Sequence, residues 1–86
     1  MKLNFLITDD FLESLKRLDK PIQEMVKEKL RFFSESEYPL NFAKKLKGQK
    51  RIFRFRAGDY RIVFRLDQTS IILLNVKHRK DVYEEF

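Results

Sequence analysis

The chain has no cysteine and no tryptophan, a single histidine, and only two glycines and two prolines among 86 residues. Without thiols it forms no disulfide, offers no thiolate nucleophile and builds no Cys-ligated zinc site, a composition that suits an intracellular protein. One histidine does not make a His-rich metal site, and no cofactor or metal is expected. No apolar run is long enough to span a bilayer, and Met1-Lys2-Leu3-Asn4 does not open a secretory signal, so a soluble, cytoplasmic chain with no membrane partner is expected. Internal repeats and low-complexity segments are also absent. What is present is large and aromatic: nine Phe and three Tyr, enough for a small core in one domain spanning 1–86. A domain of this size buries a modest share of its surface, so a bound partner adds to its stability.

Charge is distributed unevenly. Residues 1–43 hold seven Lys/Arg and eight Asp/Glu, a balance of −1, whereas residues 44–86 hold twelve Lys/Arg and five Asp/Glu, a balance of +7. Between Lys44 and Arg65 there are nine basic residues and one acidic residue, Asp59. A concentration of this kind suits a polyanion, most simply nucleic acid, although it also serves as a solubilising surface.

Hydrophobic spacing gives the element order. Leu3, Phe5 and Ile7 alternate as in a strand. Thr8, Asp9 and Asp10 supply an N-cap and two anions for a helix whose Leu12, Leu15 and Leu18 fall at helical spacing over Phe11–Leu18. Pro21 suits the first turn of a second helix, in which Ile22, Met25, Val26, Leu30 and Phe33 trace the apolar stripe. Residues 34–47 read as a linker that Pro39 keeps from being helical. Three strands follow, at about Arg51–Ala57, Tyr60–Leu66 and Ser70–Lys77, joined by turns at Gly58-Asp59 and Asp67-Gln68-Thr69. The tail from Arg79 is either a short helix or irregular. The expected fold is α+β: an N-terminal strand, a helical hairpin, and an antiparallel three-stranded meander in one sheet with the helices on one face.

A two-residue turn at Gly58-Asp59 sets the hairpin register. Ala57 then faces Tyr60, Arg56 faces Arg61, Phe55 faces Ile62 and Arg54 faces Val63, and opposed residues share a face. Arg54, Arg56, Arg61 and Arg65 therefore fall on one side, and Phe53, Phe55, Tyr60, Ile62 and Phe64 on the other. The apolar side needs the helices as cover, so the arginines look away from them. Like charges opposed across strands repel, which a phosphate between guanidinium forks relieves; Asp59, Asp81 or Glu84 are the internal alternatives. A two-residue turn at Gln68-Thr69 places Val76 opposite Arg61 and His78 on the arginine face. His78 is then the group able to exchange a proton near neutral pH, and Tyr83 an aromatic able to stack on a base. Each has a plainer role available, His78 as a structural histidine and Tyr83 as a ring at the core edge.

Lys45-Leu46-Lys47-Gly48, Phe53-Arg54-Phe55-Arg56, Gly58-Asp59-Tyr60-Arg61-Ile62-Val63-Phe64 and His78-Arg79 with Val82-Tyr83 resemble the RelE/ParE family, the toxin halves of bacterial and archaeal toxin–antitoxin pairs. The order of elements agrees over nearly the whole chain. The resemblance implies a small, acidic antitoxin encoded beside the chain, with the toxin a monomer alone and a hetero-oligomer with that partner. RelE-like members enter the ribosomal A site and cut messenger RNA, whereas ParE-like members poison DNA gyrase. The retained basic residues favour the ribonuclease branch, a ribosome-dependent mRNA endoribonuclease working without metal. By this resemblance Arg54, Arg56, Arg61, His78, Arg79 and Tyr83 form the catalytic set, the arginines stabilising charge on phosphorus while His78 or Tyr83 moves protons or stacks. Lys44, Lys45, Lys47, Lys50, Arg51, Arg65, Lys77 and Lys80 are the expected RNA contacts. RelE-like enzymes often carry lysine where this chain has Arg54 and Arg56, and guanidinium does not serve as a base. A gyrase poison and a nucleic-acid-binding relative that does not cut are the competing functions.

Overall fold

Alternation of apolar and polar side chains builds one five-stranded sheet in the order β1-β5-β4-β3-β2. A computed structural model describes the backbone of residues 3–85 and the side chains of residues 3–82. Its elements run β1 (Asn4–Ile7), α1 (Asp9–Lys16), α2 (Lys20–Glu35), a 3-10 turn (Pro39–Phe42), β2 (Ala43–Lys45), β3 (Ile52–Ala57), β4 (Tyr60–Asp67), β5 (Ser70–His78) and α3 (Arg79–Glu85). β1 lies parallel to β5, and the other neighbours are antiparallel. No helix among the described residues is long and apolar enough to cross a membrane.

Helix α1 starts where the sequence offers a cap. Thr8 Oγ1 accepts the Phe11 N–H at 3.1 Å and donates to the Leu73 carbonyl at 2.7 Å, so one hydroxyl starts the helix and fixes it to β5. Ser14 makes a second tie: beyond the end of β1, its Oγ accepts the Val76 N–H at 3.0 Å. The corner into α2 is held by the Gln23 side chain, which donates to the Leu18 carbonyl at 2.7 Å, and Pro21 occupies the first turn of α2.

The core is an aromatic stack on one side of the sheet. Phe55 has no exposed surface and lies between Phe33 and Phe64, with ring centroids 4.2 and 4.6 Å away. Phe11, Leu15, Val26, Ile62, Ile71, Leu73 and Val76 complete it. Burying rings of this size is the main source of stability in a domain so small.

Three expectations need correction. The stretch 34–47 is more than a linker: α2 continues to Glu35, the 3-10 turn follows, and β2 extends the sheet beyond β3. Pro39 is buried at the start of that turn, a position where a fixed φ and a missing N–H cost nothing. Second, the helical hairpin of α1 and α2 covers one face as expected, but the tail forms a further helix on the other face. Val82 of α3 joins Leu46, Ile52 and Val63 in a separate small cluster, and Ile52 and Val63 have the parity of the arginines. The arginine side is thus partly roofed by α3. The third correction concerns β5. The Gln68-Thr69 turn does pair Asp67 with Ser70, but the register slips between Val63 and Phe64, leaving Leu74 as an extra residue on β5. A bulge of this kind reverses which face every later residue occupies.

Candidate nucleic-acid interface

On the side of the sheet away from α1 and α2, cross-strand pairing lines up cations in rows. At the end carrying the Gly58-Asp59 turn, Arg56 faces Arg61 and Arg61 faces Lys77. In the next row Lys44 faces Arg54, which faces Val63. A third row holds Ile52, Arg65 and Ile72. The turn fits the predicted register: Ala57 pairs with Tyr60, and Gly58 takes φ +62°, a conformation glycine adopts without strain at the first loop position.

Phe42, Lys44, Arg54, Arg56 and Arg61 enclose a recess of about 250 Å³. Arg56 is exposed, while Arg54 and Arg61 are half-buried. Arg61 is held over the turn, donating from Nη1 to the Gly58 carbonyl at 2.9 Å and the Tyr60 carbonyl at 3.0 Å. Guanidinium groups fixed in this way present a fork to oxygens in a plane, the geometry that suits a phosphate. Phe42 is 46% exposed, and its ring lies 5.2 Å from that of Phe32. The recess therefore has an aromatic wall that sequence reasoning missed, because Phe42 falls in the stretch taken for a linker.

The bulge at Leu74 decides where the imidazole goes. His78 pairs with Tyr60, not beyond Arg61, and belongs to the face of the helical layer. Its ring stands edge-on to Tyr60 with centroids 5.3 Å apart. Nδ1 accepts the Lys80 N–H at 3.2 Å, so His78 acts as the cap of α3. Lys77 stands opposite Arg61, where the turn-based register puts Val76. The sequence hides the slip, because Ile71-Ile72-Leu73-Leu74 is an unbroken apolar run. The buried positions of β5 are Ile71, Leu73 and Val76, a spacing of two and then three that strict alternation does not give.

The other expected residues separate. Arg79 opens α3 at the turn end of the sheet, its N–H donating to the Asp59 carbonyl at 2.8 Å and its Nε lying 3.9 Å from Asp59 Oδ1. Asp59 is therefore turned toward Arg79. Lys80 is exposed on α3, and Lys47 and Lys50 are exposed in the loop between β2 and β3. Lys45 pairs with Phe53 and so has the parity of the helix side. Arg51 lies at the far end of the sheet, 3.8 Å from Asp67. The side chains of Tyr83 and Glu84 lie outside the described residues.

Residues 5–83 match the family model described as the ParE toxin of type II toxin–antitoxin systems, parDE. The chain belongs to the ParE toxin family. Within this family it is similar to Toxin RelE3 of Methanocaldococcus jannaschii, with 42% identity over 43 residues, covering 50% of this chain and 49% of that one. The match thus spans about half the length of that curated relative. Among solved structures it resembles the RelBE2 toxin–antitoxin complex of Mycobacterium tuberculosis, at 29% identity and a TM-score of 0.76, covering 92% of this chain and 100% of the other. It also resembles the RelB–RelE antitoxin–toxin complex of Methanococcus jannaschii, at 29% identity and a TM-score of 0.74, covering 94% and 98%. The expected RelE/ParE membership and α+β architecture both hold.

Proposed function

We propose that this chain is the toxin of a toxin–antitoxin pair, that it cuts messenger RNA on the ribosome, and that an adjacent gene encodes its antitoxin. The observation that carries this reading is the recess walled by Lys44, Arg54, Arg56, Arg61 and Phe42, with Lys77 extending its first row. The likeness to proteins named RelE and to RelB–RelE complexes supports the choice of target and of partner.

In the proposed reaction the ribose 2′-oxygen attacks the adjacent phosphorus and the bond to the 5′-oxygen breaks. The products are a 2′,3′-cyclic phosphate and a 5′-hydroxyl. Arg54, Arg56 and Arg61 bind the non-bridging oxygens, where charge grows in the transition state. Arg79 adds positive potential at the end of the row. Lysine, unlike arginine, can give up a proton, so Lys77 or Lys44 protonates the departing 5′-oxygen, while the proton of the attacking 2′-hydroxyl passes to solvent water, from which the lysine is recharged. Phe42 stacks on a base beside the phosphate. His78 acts by capping α3, which spans the arginine face. Tyr83 is retained as a further stacking or proton-transfer group, and the loop residues Lys47 and Lys50 as outer contacts to the strand.

The test is primer-extension mapping of mRNA after induction, with wild type and Arg56→Ala compared at equal protein level. Defined cuts that vanish in Arg56→Ala support the reading, and cuts that persist refute it. A gyrase poison is the second reading, favoured by the match to the ParE model itself. Pulse labelling separates them: early loss of methionine incorporation supports mRNA cleavage, and early loss of thymidine incorporation supports the gyrase target.

A further inference from the structure

At the same end of the sheet as the paired cations, where Tyr60, Val76 and His78 have the parity of the helical layer, lies a second recess of about 430 Å³, with Lys77 of the cation row also in its lining. We infer that this recess, lined by Ser14, Arg17, Tyr60, His78 and Asp81, receives one unpaired purine base of the bound RNA, guanine in preference to adenine. The inference rests on the ribonuclease reading, because it names a subsite of the same substrate.

Position is the first argument. Tyr60 precedes Arg61 on β4 and His78 follows Lys77 on β5. One residue along a strand is about 3.3 Å, and successive side chains point to opposite faces. The phosphate row and the second recess therefore meet at one strand end, with Lys77 common to both. A nucleic-acid strand whose phosphate lies against Arg61 and Lys77 reaches the recess by turning round that end.

Chemistry is the second argument. Tyr60 and His78 are half-buried rings held edge to face, with centroids 5.3 Å apart, and His78 is fixed by the bond from the Lys80 N–H to its Nδ1. Rings of this kind are the usual partners of an unstacked base. The volume falls within the range of about 300–1,000 Å³ typical of small-molecule sites. Asp81 places an exposed carboxylate on the wall. An ionised carboxylate only accepts hydrogen bonds. The Watson–Crick edge of guanine offers two adjacent donors, N1–H and the 2-amino group, whereas adenine presents an acceptor at N1. Arg17, a donor on the facing wall, suits the guanine O6 or a flanking phosphate. Ser14 is already committed, accepting from the Val76 N–H and donating to the Phe11 carbonyl, and contributes shape.

The test uses full-length Arg56→Ala protein, whose phosphate site is impaired and whose recess is intact, titrated with guanosine, adenosine and cytidine. These nucleosides carry no phosphate, so binding reports the base site alone. Guanosine should shift the Tyr60 and His78 ring resonances and bind at least tenfold tighter than adenosine. Adding Asp81→Asn should remove that preference while the thermal midpoint stays the same. Absence of shifts at Tyr60 and His78, or equal affinity for all three nucleosides before and after Asp81→Asn, overturns the inference. Primer extension of the wild type on the same mRNA keeps the two readings apart: cleavage without guanosine binding rejects this subsite alone, and guanosine binding without cleavage rejects the nuclease alone.

Discussion

β3 and β4 use one alternating sequence to make two unlike surfaces. On one side Phe55, Ile62 and Phe64 have no exposed area and hold the helices. On the other, one residue along, Arg56 and Arg61 stand directly opposed. The first surface follows ordinary packing logic, since each ring removes apolar area from water. The second works against stability, since opposed like charges repel. Stability and ligand affinity are thus assigned to opposite parities of the same strands. The cationic parity tolerates its repulsion because the aromatic parity provides the binding energy of the fold. A surface that costs stability in the isolated protein is a place where function sets the residue.

The largest effect should come from the aromatic side. Phe55→Ala removes the middle ring of the stack and should cost about 3–5 kcal/mol. Domains of this kind have only about 5–15 kcal/mol in all, and about 4–8 °C of melting temperature goes with each kcal/mol, so the thermal midpoint by circular dichroism should fall sharply. A shift of a few degrees would mean that the stack is not the core. Next comes the cationic side. Arg56→Ala should lower cleavage about 10²–10³-fold. Its thermal midpoint should hold or rise, because the repulsion removed is worth about 0.2–1 kcal/mol. Loss of both activity and stability in this variant would erase the contrast between the faces.

A sharper comparison sets neighbours on β5 against each other. Lys77→Ala should reduce cleavage by about 10²-fold, the lower range for lost proton transfer. His78→Asn keeps an acceptor able to cap α3 and should lose less activity, with its melting temperature retained. The reverse order would return His78 to the reaction centre. The smallest effect is expected at the far end of the sheet. Arg51→Ala breaks an exposed ion pair with Asp67, and such pairs contribute about 0–1 kcal/mol. In salt titrations of RNA binding it should leave the slope nearly unchanged, whereas Arg56→Ala should reduce it by about 0.7.

Much of this was legible in the sequence because it depends on local rules. The Gly58-Asp59 turn fixed the pairing of Arg56 with Arg61, and Thr8 marked the start of α1. Less legible was anything set by tertiary context. The three residues of β2 carry too little pattern to announce a strand, and they pair because β3 presents an open edge. One inserted residue at Leu74 exchanged the faces of Lys77 and His78, and a turn-based register cannot foresee that. The roofing of the arginine face by α3 rests chiefly on Val82, which sits in a largely charged tail.

The most direct test follows mRNA cleavage, by primer extension, across wild type, Arg56→Ala and Arg61→Ala, with the melting temperature of each recorded alongside. Cleavage should collapse in both variants while their folding is preserved. Undiminished cleavage in well-folded variants would contradict the claim that the arginine face holds the scissile phosphate.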